Sequence, residues 1–96
     1  MFEKRKYKGF SNQQIIQDLK SQGYSPLLIS EKPNDHLDPH SHEASHILVV
    51  VDGEMKVKLK NEEFKMLPAD MITINPRVDH AAYFGRKGCK YFWIEF

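Results

Sequence analysis

Short segments with alternating polarity, separated by closely spaced turns, are the feature that most restricts how this chain can fold. Between Glu54 and Lys60, three apolar residues alternate with three lysines, which is typical of a strand with one buried and one exposed face. Asp52-Gly53 precedes this segment and predicts a hairpin turn. The predicted strands are Leu27–Ser30, His46–Val51, Glu54–Lys60, Glu63–Leu67, Met71–Ile74, His80–Phe84 and Lys90–Phe96, with Gly85–Gly88 separating the last two. This series predicts an all-β barrel or sandwich over residues 26–96.

The first 25 residues have a different pattern, and we expect them to form an N-terminal segment with one short helix. Ser11 is a suitable N-cap, and Gln14 three residues later completes a capping box. An apolar stripe at helical spacing and Gly23 after the last turn predict a helix over Asn12–Gln22. We expect this helix to cover one end or face of the barrel.

Composition excludes several classes of protein. The chain has 96 residues, with 14 basic and 13 acidic side chains, so its charge gives no reason to expect nucleic acid or an anionic membrane as a partner. The longest apolar run, Ile47–Val51, is too short to span a bilayer. The charged start has no secretory pattern, and Cys89 is the single cysteine, so we expect a cytoplasmic protein with an unreactive thiol.

Four histidines form the strongest functional signal. His40 and His42 are two residues apart, so an extended backbone would direct both imidazoles from one face. His46 begins the apolar strand four residues later, and His80 begins another strand. Neutral imidazole binds Fe, Ni, Cu and Zn well, and a barrel can bring ligands from several strands to one ion. The alternative interpretation is a set of scattered surface histidines.

With these residues, the sequence resembles the cupin superfamily. The first cupin motif contains His-x-His, a Glu and a Gly; here His40, His42, His46 and Gly53 have the corresponding spacing. The second motif is similar to the segment from Pro68 to His80. The resemblance covers about residues 27–96 and implies a small single-domain cupin, a double-stranded β-helix (jelly-roll) barrel with one short N-terminal helix. It also implies that His40, His42, His46 and His80 bind one divalent metal ion, of which Fe, Mn, Ni, Zn and Cu are candidates.

The sequence departs from the cupin pattern at four positions. Asn34, Ala69 and Arg77 stand where the family usually has glycine, which affects local turn geometry. His46 stands where the family usually has Glu, as in small cupins that use four histidines. Because four neutral imidazoles leave the charge of a divalent ion uncompensated, such a site should favour an anionic ligand.

Other polar and aromatic residues near the histidines are expected to have supporting or structural roles. We expect His36 to be a loop histidine, and Asp38, Glu43 and Asp79 either to orient an imidazole or to face water. The aromatic residues of the C-terminal strands are expected in the core, with one or two beside a pocket. The face that carries Glu95 is interpreted as exterior.

Two functions are consistent with these residues. The first is a metal-dependent enzyme, of which a dioxygenase acting on a small organic substrate is the class that the resemblance favours. The second is a non-catalytic small-ligand or metal-binding sensor module. Because one fold serves many functions, the sequence does not decide between them.

The strand His46–Val51 also predicts a homodimer. If His46 faces the barrel interior, Ile47, Val49 and Val51 point outward and need cover. The predicted helix has a narrow apolar stripe and can cover only part of one sheet. A second barrel is therefore the simplest cover, and two-fold pairing is the commonest oligomer. The alternative is that these side chains lie between two sheets of the same chain, with the helix across the rest.

Overall fold

The computed structural model describes the whole chain, Met1–Phe96. It consists of one helix and seven strands. In chain order the elements are β1 (Phe2–Glu3), α1 (Asn12–Ser21), β2 (Leu27–Glu31), β3 (His36–His40), β4 (His46–Leu59), β5 (Glu62–Met66), β6 (Met71–Ile74) and β7 (His80–Glu95). α1, the only helix, is too short to cross a membrane.

Two long antiparallel strands, β4 and β7, form the frame of the barrel. Residues 46–50 of β4 pair with residues 91–95 of β7, and residues 55–59 pair with residues 80–84. The first half of β4 also pairs with β6, which pairs with β1, while β2 pairs with the second half of β7. The other halves are flanked by β5 and β3. The result is two facing sheets that share β4 and β7, and the predicted all-β jelly-roll barrel with one short helix is confirmed.

The structure corrects the predicted turns at Asp52-Gly53 and at Gly85–Gly88. Both segments lie inside continuous strands, where the pairing register shifts between Val50 and Met55. Gly53 and Gly88 have φ of 74° and 79°, and a Cβ on Gly53 would collide with the carbonyl of Gly88. Glycine at positive φ serves a hairpin turn and a β-bulge equally well, so the dipeptide alone does not separate them. The bulges bend β4 and β7 together from one sheet into the other.

The interior between the sheets is filled by a cluster of apolar side chains that we call the inner core. Its buried members are Leu48, Val50, Met55, Val57, Met66, Ile72, Ile74, Ala82, Phe84, Cys89 and Tyr91. Burial raises the pKa of the Cys89 thiol to about 12, with further contributions from Glu31, Asp52 and Glu54. Such a thiol is almost fully protonated at neutral pH, consistent with an unreactive role.

A second cluster, the outer core, lies on the opposite face of β4, β6 and β7. Its buried members are Tyr7, Ile15, Leu19, Ile47, Val49, Met71, Phe92 and Ile94. The Ser11–Gln14 capping box that starts α1 is present as predicted. Because Ile15 and Leu19 of α1 belong to the outer core, the helix covers the outer face of the barrel. The Tyr7 hydroxyl also donates a 2.6 Å hydrogen bond to Asp18 on α1.

Because α1 covers this face, Ile47 and Val49 do not need a second barrel to bury them. Ile47 and Val49 are 4% and 0% exposed within the single chain. Their cover comes from α1 and the N-terminal segment of the same chain, and not from a position between two sheets. The oligomeric state stays a prediction, as does the division of the chain at residue 25.

Three residues that stand where cupins usually have glycine adopt the left-handed backbone conformation that favours glycine. Asn34, Ala69 and Arg77 have φ of 60°, 83° and 61°. Asn tolerates this region well, whereas Ala and Arg are strained there. The turn at Ala69 is held by buried Asp70, whose carboxylate accepts hydrogen bonds from the backbone N–H groups of Arg5 and Leu67. The turn geometry is therefore retained.

Candidate metal centre

Four histidines meet at one end of the barrel because they lie at strand ends. His40 ends β3 and pairs with His80, the first residue of β7. His46 begins β4 and pairs with Glu95 near the end of β7. His42 lies between β3 and β4, where its carbonyl accepts a 2.7 Å hydrogen bond from the Arg77 backbone N–H. The barrel thus brings side chains from residues 40 to 95 to one place.

Three of the four histidines lie close enough together that they could hold one metal ion. Nitrogen atoms of His40, His42 and His80 lie within 4.8 Å of one another. Ligand nitrogens on one ion are about 3 to 3.5 Å apart, given metal–nitrogen distances of about 2.0–2.1 Å. Small ring rotations would therefore let these three side chains hold one ion.

Backbone carbonyl groups orient two of these rings. Nδ1 of His40 lies 2.6 Å from the Asp38 carbonyl oxygen, and Nδ1 of His80 lies 2.9 Å from the Val78 carbonyl oxygen. A carbonyl oxygen only accepts, so Nδ1 is the protonated nitrogen in both rings. The lone pair is then on Nε2, and this is the tautomer found in histidine ligands whose other nitrogen donates to a carbonyl.

The surroundings also favour the neutral imidazoles that bind metals. The pKa of His80 is lowered mainly by burial and further by His40, His42 and His46, against the opposing effect of the Val78 hydrogen bond. The pKa of His42 is lowered by loss of hydration and by His46 and His40, and Glu95 opposes this shift. These two rings therefore remain unprotonated to lower pH than a free histidine does.

His46 is beside the other three but has a different partner. Its ring centroid lies 4.3 Å from that of His42, while its Nε2 lies 3.1 Å from a Glu95 carboxylate oxygen. His46 is buried, and Glu95 is about half exposed at the barrel mouth. His46 is accordingly outside the group of three whose nitrogens converge. To reach the same ion, it would have to release Glu95 or use Nδ1.

Glu95 changes two expectations from the sequence. The face of β7 that carries Glu95 and Trp93 is interior and not exterior, because both residues contact buried His46. A carboxylate therefore stands at the edge of a histidine group for which the sequence indicated no negative charge. The bulges in β7 shift the alternation, and this is why the orientation of Glu95 could not be counted from His80.

His36 and Glu43 have partners outside the histidine group. His36 lies outside the group, 3.0 Å from the Asp38 carboxylate, and stacks on Tyr83. Glu43 lies 3.6 Å from Arg77. The imidazoles of His40 and His80 are oriented by the carbonyls of Asp38 and Val78, and not by a carboxylate.

An apolar chamber of about 210 Å³ extends from the histidines into the barrel. Besides the four histidines, its lining consists of Leu37, Leu48, Met55, Val57, Ile74, Ala82, Phe84, Tyr91 and Trp93. Three aromatic residues of β7 line the chamber, Phe84, Tyr91 and Trp93, where the sequence predicted one or two. The aliphatic residues of the chamber lining were not predicted from the sequence. The alternation that directs Leu48, Met55 and Val57 into the barrel could have indicated them.

Solved structures with the same fold include proteins of several kinds. A cupin superfamily protein from Desulfitobacterium hafniense is 16% identical, with a TM-score of 0.67 over 72% of this chain and 62% of its own. A DMSP lyase from Ruegeria pomeroyi is 14% identical, with a TM-score of 0.68 over 75% of this chain and 37% of its own. A ribosomal oxygenase from Escherichia coli is 14% identical, with a TM-score of 0.66 over 72% of this chain and 21% of its own. At these identities the likeness shows a cupin fold.

The sequence itself gives a more specific relation. No curated protein matches it significantly. The family model of the AraC-like ligand binding domain matches residues 23–96, which include the barrel strands from β2 to β7 and all four histidines. This chain therefore belongs to the AraC-like ligand binding domain family, within the cupin superfamily.

Proposed function

We propose that this protein is a small metal-binding cupin that receives a small organic ligand in its barrel. His40, His42 and His80 hold one divalent cation, and His46 is a fourth ligand once its contact with Glu95 is released. The observation that carries the proposal is the group of three convergent imidazole nitrogens, two of them in rings whose tautomer is fixed by carbonyl groups.

The donor set restricts the metal to those that accept imidazole. Fe, Mn, Ni, Zn and Cu remain candidates, whereas Ca²⁺ and Mg²⁺ prefer oxygen ligands. When bound, the cation supplies positive charge and open coordination positions for an oxygen-containing ligand. The chain orients the imidazoles, and its apolar chamber excludes water beside them.

The metal is tested with untagged protein made without added metal. Elemental analysis and titration with Zn²⁺, Ni²⁺ or Co²⁺ should give one ion per chain. His80→Ala and His42→Ala should weaken binding by about 100-fold or more, since each removes a ligand. His36→Ala is the matched control and should bind as the wild type does. Equal affinity in wild type, His42→Ala and His80→Ala would contradict the metal assignment.

We propose a dioxygenase-type enzyme as the first functional class, because an apolar chamber beside an open imidazole-bound cation suits oxidation of a small organic substrate. The second class is a non-catalytic sensor module, favoured by the match to a ligand-binding family. A molecule extracted from the purified protein separates the two. Consumption of oxygen and conversion of that molecule by metal-loaded protein supports the enzyme, and its recovery unchanged supports the sensor.

A further inference from the structure

The lining of the chamber has a clear division between its two ends. The four histidines are at the mouth, and every other lining side chain is apolar or aromatic. No Asp, Glu, Lys or Arg contributes to the lining. A ligand that lies along the chamber therefore meets nitrogen donors, and any ion that they hold, at one end only.

The floor of the chamber offers no charged partner either. It is formed near the strand bulges by Met55, Phe84 and Tyr91. The Tyr91 hydroxyl donates a 2.7 Å hydrogen bond to Glu31 on the neighbouring strand, so the Glu31 carboxylate and this hydroxyl already satisfy one another. An ionised or strongly polar group at this depth would lose its hydration without compensation.

The volume limits the size of what can enter. An apolar cavity of about 150 Å³ accommodates benzene. The chamber, at about 210 Å³, accommodates a body somewhat larger than one aromatic ring. Phe84 and Tyr91 are nearly parallel at 6.0 Å, and Trp93 lies beside His46, so aromatic surfaces are present at both depths.

We propose that the ligand is a small molecule with one oxygen-donor head for the metal and an uncharged apolar body of about six to ten carbon atoms. This inference rests on the proposed function, because the head group needs the metal. The apolar body requires only the chamber for binding, and not the metal. Polyols, sugars and dianionic ligands do not fit this class.

A series of hydroxamic acids with one head and different bodies tests the proposal on metal-loaded protein. Trp93, the single tryptophan, lines the chamber and reports binding by fluorescence. Benzohydroxamic acid should bind at least about tenfold more tightly than acetohydroxamic acid, because its ring is removed from water. 4-Carboxybenzohydroxamic acid should lose this gain. Equal affinity for all three would overturn the proposal.

Two substitutions with opposite effects locate the body in the chamber. Ala82→Leu fills space opposite Val57 and should weaken benzohydroxamic acid more than acetohydroxamic acid. Leu48→Ala enlarges the chamber and should improve binding of 2-naphthohydroxamic acid relative to the wild type. If Ala82→Leu does not fold, Leu48→Ala and the wild-type series still decide the question. Unchanged selectivity in Leu48→Ala would contradict the assignment.

Failure of the metal site and failure of this inference give different results. If no metal binds, toluene is titrated into the metal-free protein and followed by Trp93 fluorescence. Toluene binding that Leu48→Ala alters would retain the apolar chamber while the metal function is wrong. Metal binding at one ion per chain without selectivity for apolar bodies would retain the function and reject the ligand class.

Discussion

The outer core and the inner core are built on opposite faces of the same strands, but they are packed differently. In the outer core, α1 and Tyr7 close over β4, and Leu19, Val49 and Ile94 are at most 1% exposed. The inner core encloses the chamber, and its mouth carries buried His46 and His80. Alternate residues of β4 thus serve two purposes: Val49 faces the helix, and Leu48 faces the chamber.

This difference separates stability from binding within one small chain. A domain of this size buries a limited core, so an empty chamber inside it costs contacts that must be supplied elsewhere. The outer core supplies them without polar groups other than the Tyr7–Asp18 pair. We therefore expect substitutions in the outer core to affect folding and substitutions around the chamber to affect binding.

Val49→Lys should have the largest effect. Val49 is fully buried under the helix, so lysine there places an unpaired charge in the outer core at a cost of about 4 kcal/mol or more. Val51→Lys, at the half-buried edge of the same cluster, is the milder control. Circular dichroism and urea unfolding measure both. A folded, monomeric Val49→Lys protein released from a wild-type dimer would instead restore the dimer argument.

A matched pair of leucines compares the two cores directly. Leu19→Ala in the outer core should lower the free energy of unfolding by about 3–5 kcal/mol, because Leu19 is almost completely buried. Leu48→Ala should cost only about 1–3 kcal/mol, because Leu48 already borders empty space. Urea titration of both variants provides the values. A larger cost for Leu48→Ala would reverse the comparison.

The His46–Glu95 pair should contribute moderately to metal affinity. His46→Ala should weaken binding by about 10–100-fold, less than loss of His42 or His80, because Nε2 of His46 has to leave Glu95. Glu95→Gln should weaken it by a few-fold, since the amide keeps a hydrogen bond but removes a negative charge near the cation. Calorimetric titration of both variants and the double variant measures their coupling. Wild-type affinity in His46→Ala would exclude His46 from the site.

The metal-free protein should lose a little stability in acid through the same histidines. His42 and His80 have pKa values below the ordinary 6.5 in the folded chain, so the unfolded chain binds more protons as the pH falls through that value. The free energy of unfolding should decrease as the pH falls from about 7 to 5. Urea unfolding of wild type and His80→Gln checks this, and the variant should show the smaller decrease.

Features set by local chemistry were predictable from the sequence. The Ser11–Gln14 box fixes the start of α1, and the alternation of Met55, Val57 and Leu59 fixes the inward face of β4. The Asp52-Gly53 error has a local origin too, since positive φ at glycine does not reveal whether the chain reverses or only bends.

Features that depend on distant pairing were not predictable. Glu95 lies 49 residues from His46, and only the register of β4 with β7 places them opposite each other. The cover of Val49 by α1 depends likewise on where the helix packs. Local periodicity gives the polarity of a face but not the element that covers it, so the sequence favoured a second barrel where the structure has the helix.

The shared strands β4 and β7 have a consequence for the rate of folding. Their pairing joins residues up to 49 positions apart, and β1 reaches β6 across about 70 residues, from Phe2 to Ile72. Barrels dominated by such distant pairings close large loops before they gain contacts, and they typically fold in milliseconds to seconds. The imidazoles come together only when β7 has aligned with both β3 and β4, so stopped-flow detection of a chromophoric metal would time the closing of the barrel.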